Sequence, residues 1–258
     1  MRSLASRWSA VSGAAEARPS SLPGVALAAV VVFAWGVSLV GALRFPATTI
    51  PWFLWLPLIA LRTWLHTGLF IVAHDAMHGT VAPRHPRLNA LLGRLAVGLY
   101  ALFPYGTLVR EHRMHHRSPA STDDPDFHDG AHSDFGRWYL RFIGHYLRWP
   151  QFVGHAVIFN VLQHLLHVSQ VNLLAFWVLP ALASTTQLFY FGTFLPHRPM
   201  PGGYADAHRA RSNNYGPALS LLTCFHFGYH REHHESPGVP WWSLPAARAR
   251  RVPAPPPR

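Results

Sequence analysis

Charge is scarce in this chain of 258 residues: only 13% are Asp, Glu, Lys or Arg, while half are hydrophobic. A soluble domain of this size carries about a quarter charged residues, so the deficit points to a membrane. Lysine is absent, so the formal charge of +11 is carried by arginine alone. No Arg-rich helix or basic patch interleaved with aromatics accompanies that excess, which argues against a nucleic-acid partner and for flanks facing anionic headgroups. The single cysteine, Cys224, excludes an intramolecular disulfide and a cysteine-ligated zinc site, and fits a small buried apolar side chain. The chain also lacks a nucleotide-binding fingerprint, the cysteines of an iron–sulfur cluster, an internal repeat and the metalloprotease pattern His-Glu-x-x-His.

Long uncharged runs are present instead. Residues 23–43 can span a bilayer, and the run is too long for the core of a signal peptide. Residues 50–73 form a second span broken by Arg62 and His66, with Arg62 expected to face protein or the interface. Residues 151–168 and 171–195 read as a hairpin that crosses and returns. Along its first arm Asn160, Gln163, His164 and His167 share a face expected to point into the bundle. Residues 88–109 are apolar but interrupted by Gly93, Arg94, Gly98 and Pro104. They lie in a connection of some thirty residues that must begin and end on one side of the membrane, so they are expected as a re-entrant or interfacial helix. The fold class is therefore an all-α integral membrane protein with about four transmembrane helices, interfacial helices and a polar helical cap (residues 117–149 and 196–220). Residues 1–21 are expected as a flexible cytoplasmic tail, 22–245 as one domain, and 246–258 as a disordered Arg- and Pro-rich end. Arginines at both ends of the chain place the cap in the cytoplasm by the positive-inside rule.

Nineteen histidines are the other surplus. Three boxes stand out: His74 and His78; His112, His115 and His116; His230, His233 and His234. Offsets of three and four residues share one helix face, so each box can aim its imidazoles at one object. Eight histidines exceed the ligands of one first-row metal, which suggests two. Imidazole alone leaves iron, zinc, copper and nickel open, but so many neutral ligands suit a redox pair that keeps positions open for dioxygen. His197, where the hairpin returns, is expected to supply a ninth ligand. His226 sits one turn before His230 and is read as an outer hydrogen-bond partner rather than a ligand. Asp75, Glu111 and Glu232 adjoin ligands and could orient their rings. His85, His128, His132, His145 and His208 are expected as solvated cap or interface residues.

Longer strings carry a resemblance. The segments Gly68 to Gly79, Gln187 to Arg198 and Leu221 to His234, continuing through Pro237 to Trp241, Trp242 and Pro245, resemble bacterial β-carotene ketolases. These belong to the integral-membrane di-iron superfamily of fatty-acid desaturases and hydroxylases. The resemblance implies one iron held by His74, His78, His116 and His234, and a second by His112, His115, His197, His230 and His233. It implies oxidation of carbon 4 of a β-ionone ring to a ketone by two successive hydroxylations and loss of water. Dioxygen would be the co-substrate, an external ferredoxin or reductase the electron donor, and the bacterial inner membrane the location. The carotenoid would enter from lipid past Phe189, Tyr190, Phe191 and Phe194. Thr193 stands where the desaturases carry an asparagine that reaches metal through water. The rival readings are a β-ring 3-hydroxylase, another desaturase or alkane hydroxylase, a zinc-dependent lipid hydrolase, and a metal carrier.

Overall fold

The computed structural model describes residues 18–199, 201–204 and 206–251; the expected tails lie mostly outside these. Ten α-helices account for the described architecture, with no strand among these residues. Three of them are long and apolar enough to cross a membrane: α1 (Leu22–Arg44), α2 (Trp52–Met77) and α7 (Gln170–His197). Val30, Phe33, Val37 and Val40 of α1 remain exposed while Ala28, Val31 and Trp35 are buried. A helix apolar on both faces turns one to protein and the other to lipid.

The second half of α2 is the axis of the bundle, buried almost without interruption from Leu65 to Met77. Most of its buried polar side chains find partners, although Nη2 of Arg62 and Nε2 of His66 have none. Arg62 is fully buried, giving Nε to the carbonyl of Phe176 (3.1 Å) and Nη1 to the carbonyl of Trp35 and the hydroxyl of Ser38 (2.8 Å each). It therefore ties α1, α2 and α7 together by helix carbonyls, as expected for a charge turned toward protein. Thr67 bonds Ser184 (2.8 Å) and Gln187 (2.5 Å) of α7. At the far end Asn172 clasps the α1–α2 connection, receiving the amide of Ala47 at 2.9 Å and donating to the carbonyls of Ala42 and Phe45.

Helices α3 (Pro86–Ala101) and α4 (Tyr105–Arg117) meet at a 97° bend. The hinge is Leu102, which adopts a left-handed φ of 57°, followed by Pro104. The segment ends where it began: His112 on α4 lies 2.8 Å from His78 just past α2. The chain thus returns to its starting end, as anticipated for a re-entrant or interfacial segment over residues 88–109.

The hairpin departs from expectation in its first arm. Helix α6 (Trp149–Asn160) runs only twelve residues and continues as a π-helical turn, Val161–Leu165. The two together, residues 149–165, carry the chain from the cap to the end where Asn172 sits, as the hairpin requires, and the departure lies in the polar face. Asn160, His164 and His167 are exposed and Gln163 half-buried, so this polar face does not enter the bundle. Asn160 bonds its own helix at the carbonyl of Ala156 (2.8 Å). The arm rests instead on His155 and Phe159, both stacked on Trp177. A face of mixed character obeys whichever neighbour packs better, and the aromatic side won.

Helix α5 (Phe135–Tyr146), capped by Asp134, closes the cap over α7. Its Phe135, Trp138 and Phe142 pack on Phe189. His128, expected in solvent, is buried between Phe127 and Trp138. Helices α8 (Pro217–Cys224), α9 (His230–Glu235) and α10 (Leu244–Arg251) complete the chain. Residues 246–251, expected as disordered, are helical. Arg248 pairs with Glu232 (3.2 Å) and lies over the ring of Tyr229, and Arg251 pairs with Glu235 (2.8 Å).

Candidate metal centre

All nine expected histidines converge at one end of the bundle. Box spacing brings α2, α4 and α9 to a common point, and a π-helical turn, Phe189–Phe194, precedes His197 at the end of α7. Two all-histidine clusters result, with a third group of His115, Asp124 and Asp126 beside them. His74, His78, His112, His116 and His233 form one; His115, His197, His230 and His234 form the other.

This division differs from the one the resemblance implied. His234 was expected with His74, His78 and His116, whereas its Nε2 lies 3.1 Å from His115 and 3.0 Å from His230. His112 and His233 were expected opposite, yet their Nε2 atoms lie 3.1 and 3.0 Å from His116. The rotation of α4 and α9 about their axes sets which neighbour each ring meets, and box spacing does not specify that angle.

The donor set fits a pair of cations. A ring nitrogen carries either one proton or one lone pair, so it forms one in-plane hydrogen bond. The Nε2 atoms of His112, His116 and His234 each face two others at 2.8–3.1 Å and cannot be satisfied by hydrogen bonding. His74 and His197 present buried Nε2 atoms with no partner. Lone pairs converging on two points answer both facts, because nitrogens about 2.1 Å from a metal in near-octahedral array are about 3 Å apart. Burial first, then the neighbouring imidazoles, hold His230, His233 and His234 well below the ordinary histidine pKa, in the neutral form that ligates.

The rings are oriented by groups the sequence did not single out. Nδ1 of His115 lies 3.0 Å from both oxygens of Asp124, and Nδ1 of His197 bonds the carbonyl of Arg209 at 2.8 Å. Asp124 also accepts the amides of Ala120 and Asp126, so the loop is wound around its carboxylate. The only signal was the acidic run following the second box. Of the three acids expected to orient rings, Asp75 comes nearest, 3.6 Å from Nδ1 of His74, while bonding the amide of Trp241. Glu111 binds His145, and Glu232 binds Arg248 and Ser212.

His226 does not share a helix face with His230. Phe225 and His226 both adopt left-handed φ values (48° and 62°), which breaks the chain between α8 and α9. Its ring stacks on Tyr229 and Trp241, away from both clusters.

An apolar cavity reaches the centre from the bundle side. His74, His112, His115 and His230 close its inner end, and Phe70, Leu108, Phe142, Leu188 and Phe227 form much of its wall. From α7 the cavity receives Thr185, Leu188, Gly192 and Thr193. The expected Phe189, Tyr190, Phe191 and Phe194 are absent from the wall; Phe189 instead packs under α5. Phe227 spans both clusters, its ring centroid 4.7 Å from His74 and 5.1 Å from His230. On the other side an open cleft lined by Arg18, Pro86, Asn89 and Trp242 reaches His78.

The fatty acid desaturase profile matches residues 47–168 and 146–258, a stretch containing every one of these histidines. The chain belongs to the fatty acid desaturase family. A β-carotene ketolase of Paracoccus sp. (strain N81106 / MBIC 01143) is 48% identical over 189 residues, covering 73% of this chain and 76% of that protein. A zeaxanthin 4-ketolase of Chlamydomonas reinhardtii is 39% identical over 243 residues, 89% of this chain and 54% of that protein. A sphingolipid delta(4)-desaturase of Pongo abelii is 27% identical over 200 residues, 70% of this chain and 59% of that protein.

Proposed function

We propose that this family member is a carotenoid 4-ketolase, converting the carbon-4 methylene of a β-ionone ring to a ketone. The observation that carries the reading is the apolar cavity whose inner end is closed by histidines of both clusters. A long apolar substrate can enter such a cavity from lipid and place one ring carbon against the metal centre. Identity to ketolases over most of the chain favours a carotenoid over a fatty acyl chain.

His74, His78, His112, His116 and His233 would hold one iron, and His115, His197, His230 and His234 the other. When bound, the pair supplies dioxygen activation. Each round consumes one dioxygen, two electrons and two protons, turns a C–H bond into C–OH and releases water. The second round gives a geminal diol, which loses water to the ketone. The attacked C–H bond is allylic and therefore weak. The chain's own residues do the placing: Phe70, Phe142 and Phe227 exclude water around the ring, and Asp124 fixes the tautomer of His115. Electrons come from an external ferredoxin or reductase. The enzyme sits in the bacterial inner membrane with its histidine end in the cytoplasm.

Expression in a β-carotene-producing bacterium tests the reading. Pigment that gains one oxygen and loses two hydrogens per ring supports it. Unchanged or merely hydroxylated pigment under aerobic conditions sinks it.

A further inference from the structure

Behind His115 the cavity wall carries a second carboxylate besides Asp124, that of Asp126, and the three side chains form an acidic group of their own. Asp126 and Tyr146 both line the cavity, and the Tyr146 hydroxyl donates to Oδ1 of Asp126. Oδ2 is left over. It lies 3.7 Å from Nδ1 of His115, beyond hydrogen-bond reach, and that nitrogen already faces both oxygens of Asp124 at 3.0 Å. Among the described residues no N–H or O–H reaches it, and the side chain keeps 13% of its surface exposed. Of the other hydroxyls in the wall, Thr185 pairs with Tyr139 at 2.6 Å and the carbonyl of Leu182 at 2.8 Å, and Tyr100 accepts from Ser184, while Thr193 has no hydrogen-bond partner among the described residues. A carboxylate oxygen facing an apolar cavity without a donor is costly, and a ligand hydroxyl removes that cost.

The position of this acceptor limits which hydroxyl it can meet. The carbon to be oxidised must lie against the histidines, and Asp126 stands beside one of them. A hydroxyl on the neighbouring ring carbon is therefore within its range, while one at the distant end of the molecule is not. Resting on the ketolase reading, we propose that Asp126, held in place by Tyr146, accepts a hydrogen bond from the 3-hydroxyl of a β-ring, so that 3-hydroxylated rings are ketolated in preference to bare ones. A bare ring leaves Oδ2 unpaired or traps a water beside the reacting carbon.

Membranes containing the full chain, supplied with reductant, are assayed on β-carotene and on zeaxanthin, its 3,3′-dihydroxy derivative, and kcat/KM is compared. Wild type favours zeaxanthin. Asp126→Asn lowers the zeaxanthin-to-β-carotene ratio roughly ten- to a hundredfold, the range of a charge-assisted hydrogen bond. Tyr146→Phe, which frees the carboxylate without touching His115, lowers it less, in the same direction. Iron per chain is measured in parallel, and if Asp126→Asn loses metal the Tyr146→Phe ratio decides. Thr193→Val probes another hydroxyl of the wall and leaves the ratio alone. A wild type that converts β-carotene but not zeaxanthin overturns the proposal while the ketolase reading stands. So does a ratio unchanged in metal-replete variants, or one that moves with Thr193 instead. A wild type that ketolates neither substrate refutes the ketolase reading itself.

Discussion

The two histidine clusters share α4 and α9 but are held differently. His115, His197, His230 and His234 are all buried, and two of them are braced from behind by Asp124 and the carbonyl of Arg209. In the other cluster His78, His112 and His116 are only half-buried, and the open cleft reaches His78. The four-histidine cluster has no donor to spare, and its His230 and His234 rings have buried Nδ1 atoms without a partner; the five-histidine cluster has an extra ligand and an open side. One metal should therefore be sensitive to every ligand and to its outer partners, and the other more tolerant and more exchangeable.

His234→Ala should strain that difference most. It removes the ring that faces both His115 and His230, leaving three donors. Turnover should be abolished and one iron per chain lost by elemental analysis. The matched change His78→Ala leaves four donors, and the variant should retain both irons when metal is supplied. Equal losses would erase the contrast.

Asp124→Asn comes next. An outer carboxylate on a ligating imidazole is worth roughly 10–100-fold in metal affinity or activity. The loss should appear in the four-histidine cluster alone, read as one iron stripped by a mild chelator while the other persists.

Gly192→Ala acts on both clusters together. A Cβ there would overlap the Phe227 ring, which touches His74 and His230. Overpacking of this kind costs about 1–3 kcal/mol, and thermal unfolding in detergent should shift down with turnover reduced. His226→Asn should have the smallest effect, since asparagine tolerates the left-handed backbone and the ring lies outside both clusters. Iron content should stay at the wild-type level; loss of one iron would make His226 a ligand.

Much of this design can be read along the chain. Box spacing identifies eight of the nine histidines because helix periodicity alone puts residues three and four apart on one face, and His197 follows from its place where the hairpin returns. The apolar runs of α1, α2 and α7 announce themselves because a bilayer demands a minimum apolar length. The return of residues 79–111 to their starting side follows from the same length. Such properties are local, set by rise per residue and by side-chain polarity.

Other features needed three dimensions. Which histidines cluster together depends on how α4 and α9 are rotated against α2 and α7, and that rotation decides the cluster in which His112, His233 and His234 fall. Asp124 looks like any other acid of a polar loop until the loop winds it under His115. His226 appeared to continue the α9 face until two left-handed residues turned it away. The polar stripe of α6 faces outward because stacking on Trp177 settled the helix orientation. Each of these outcomes is a choice among packings that the local chain tolerates equally, and only contacts between distant segments separate them in free energy.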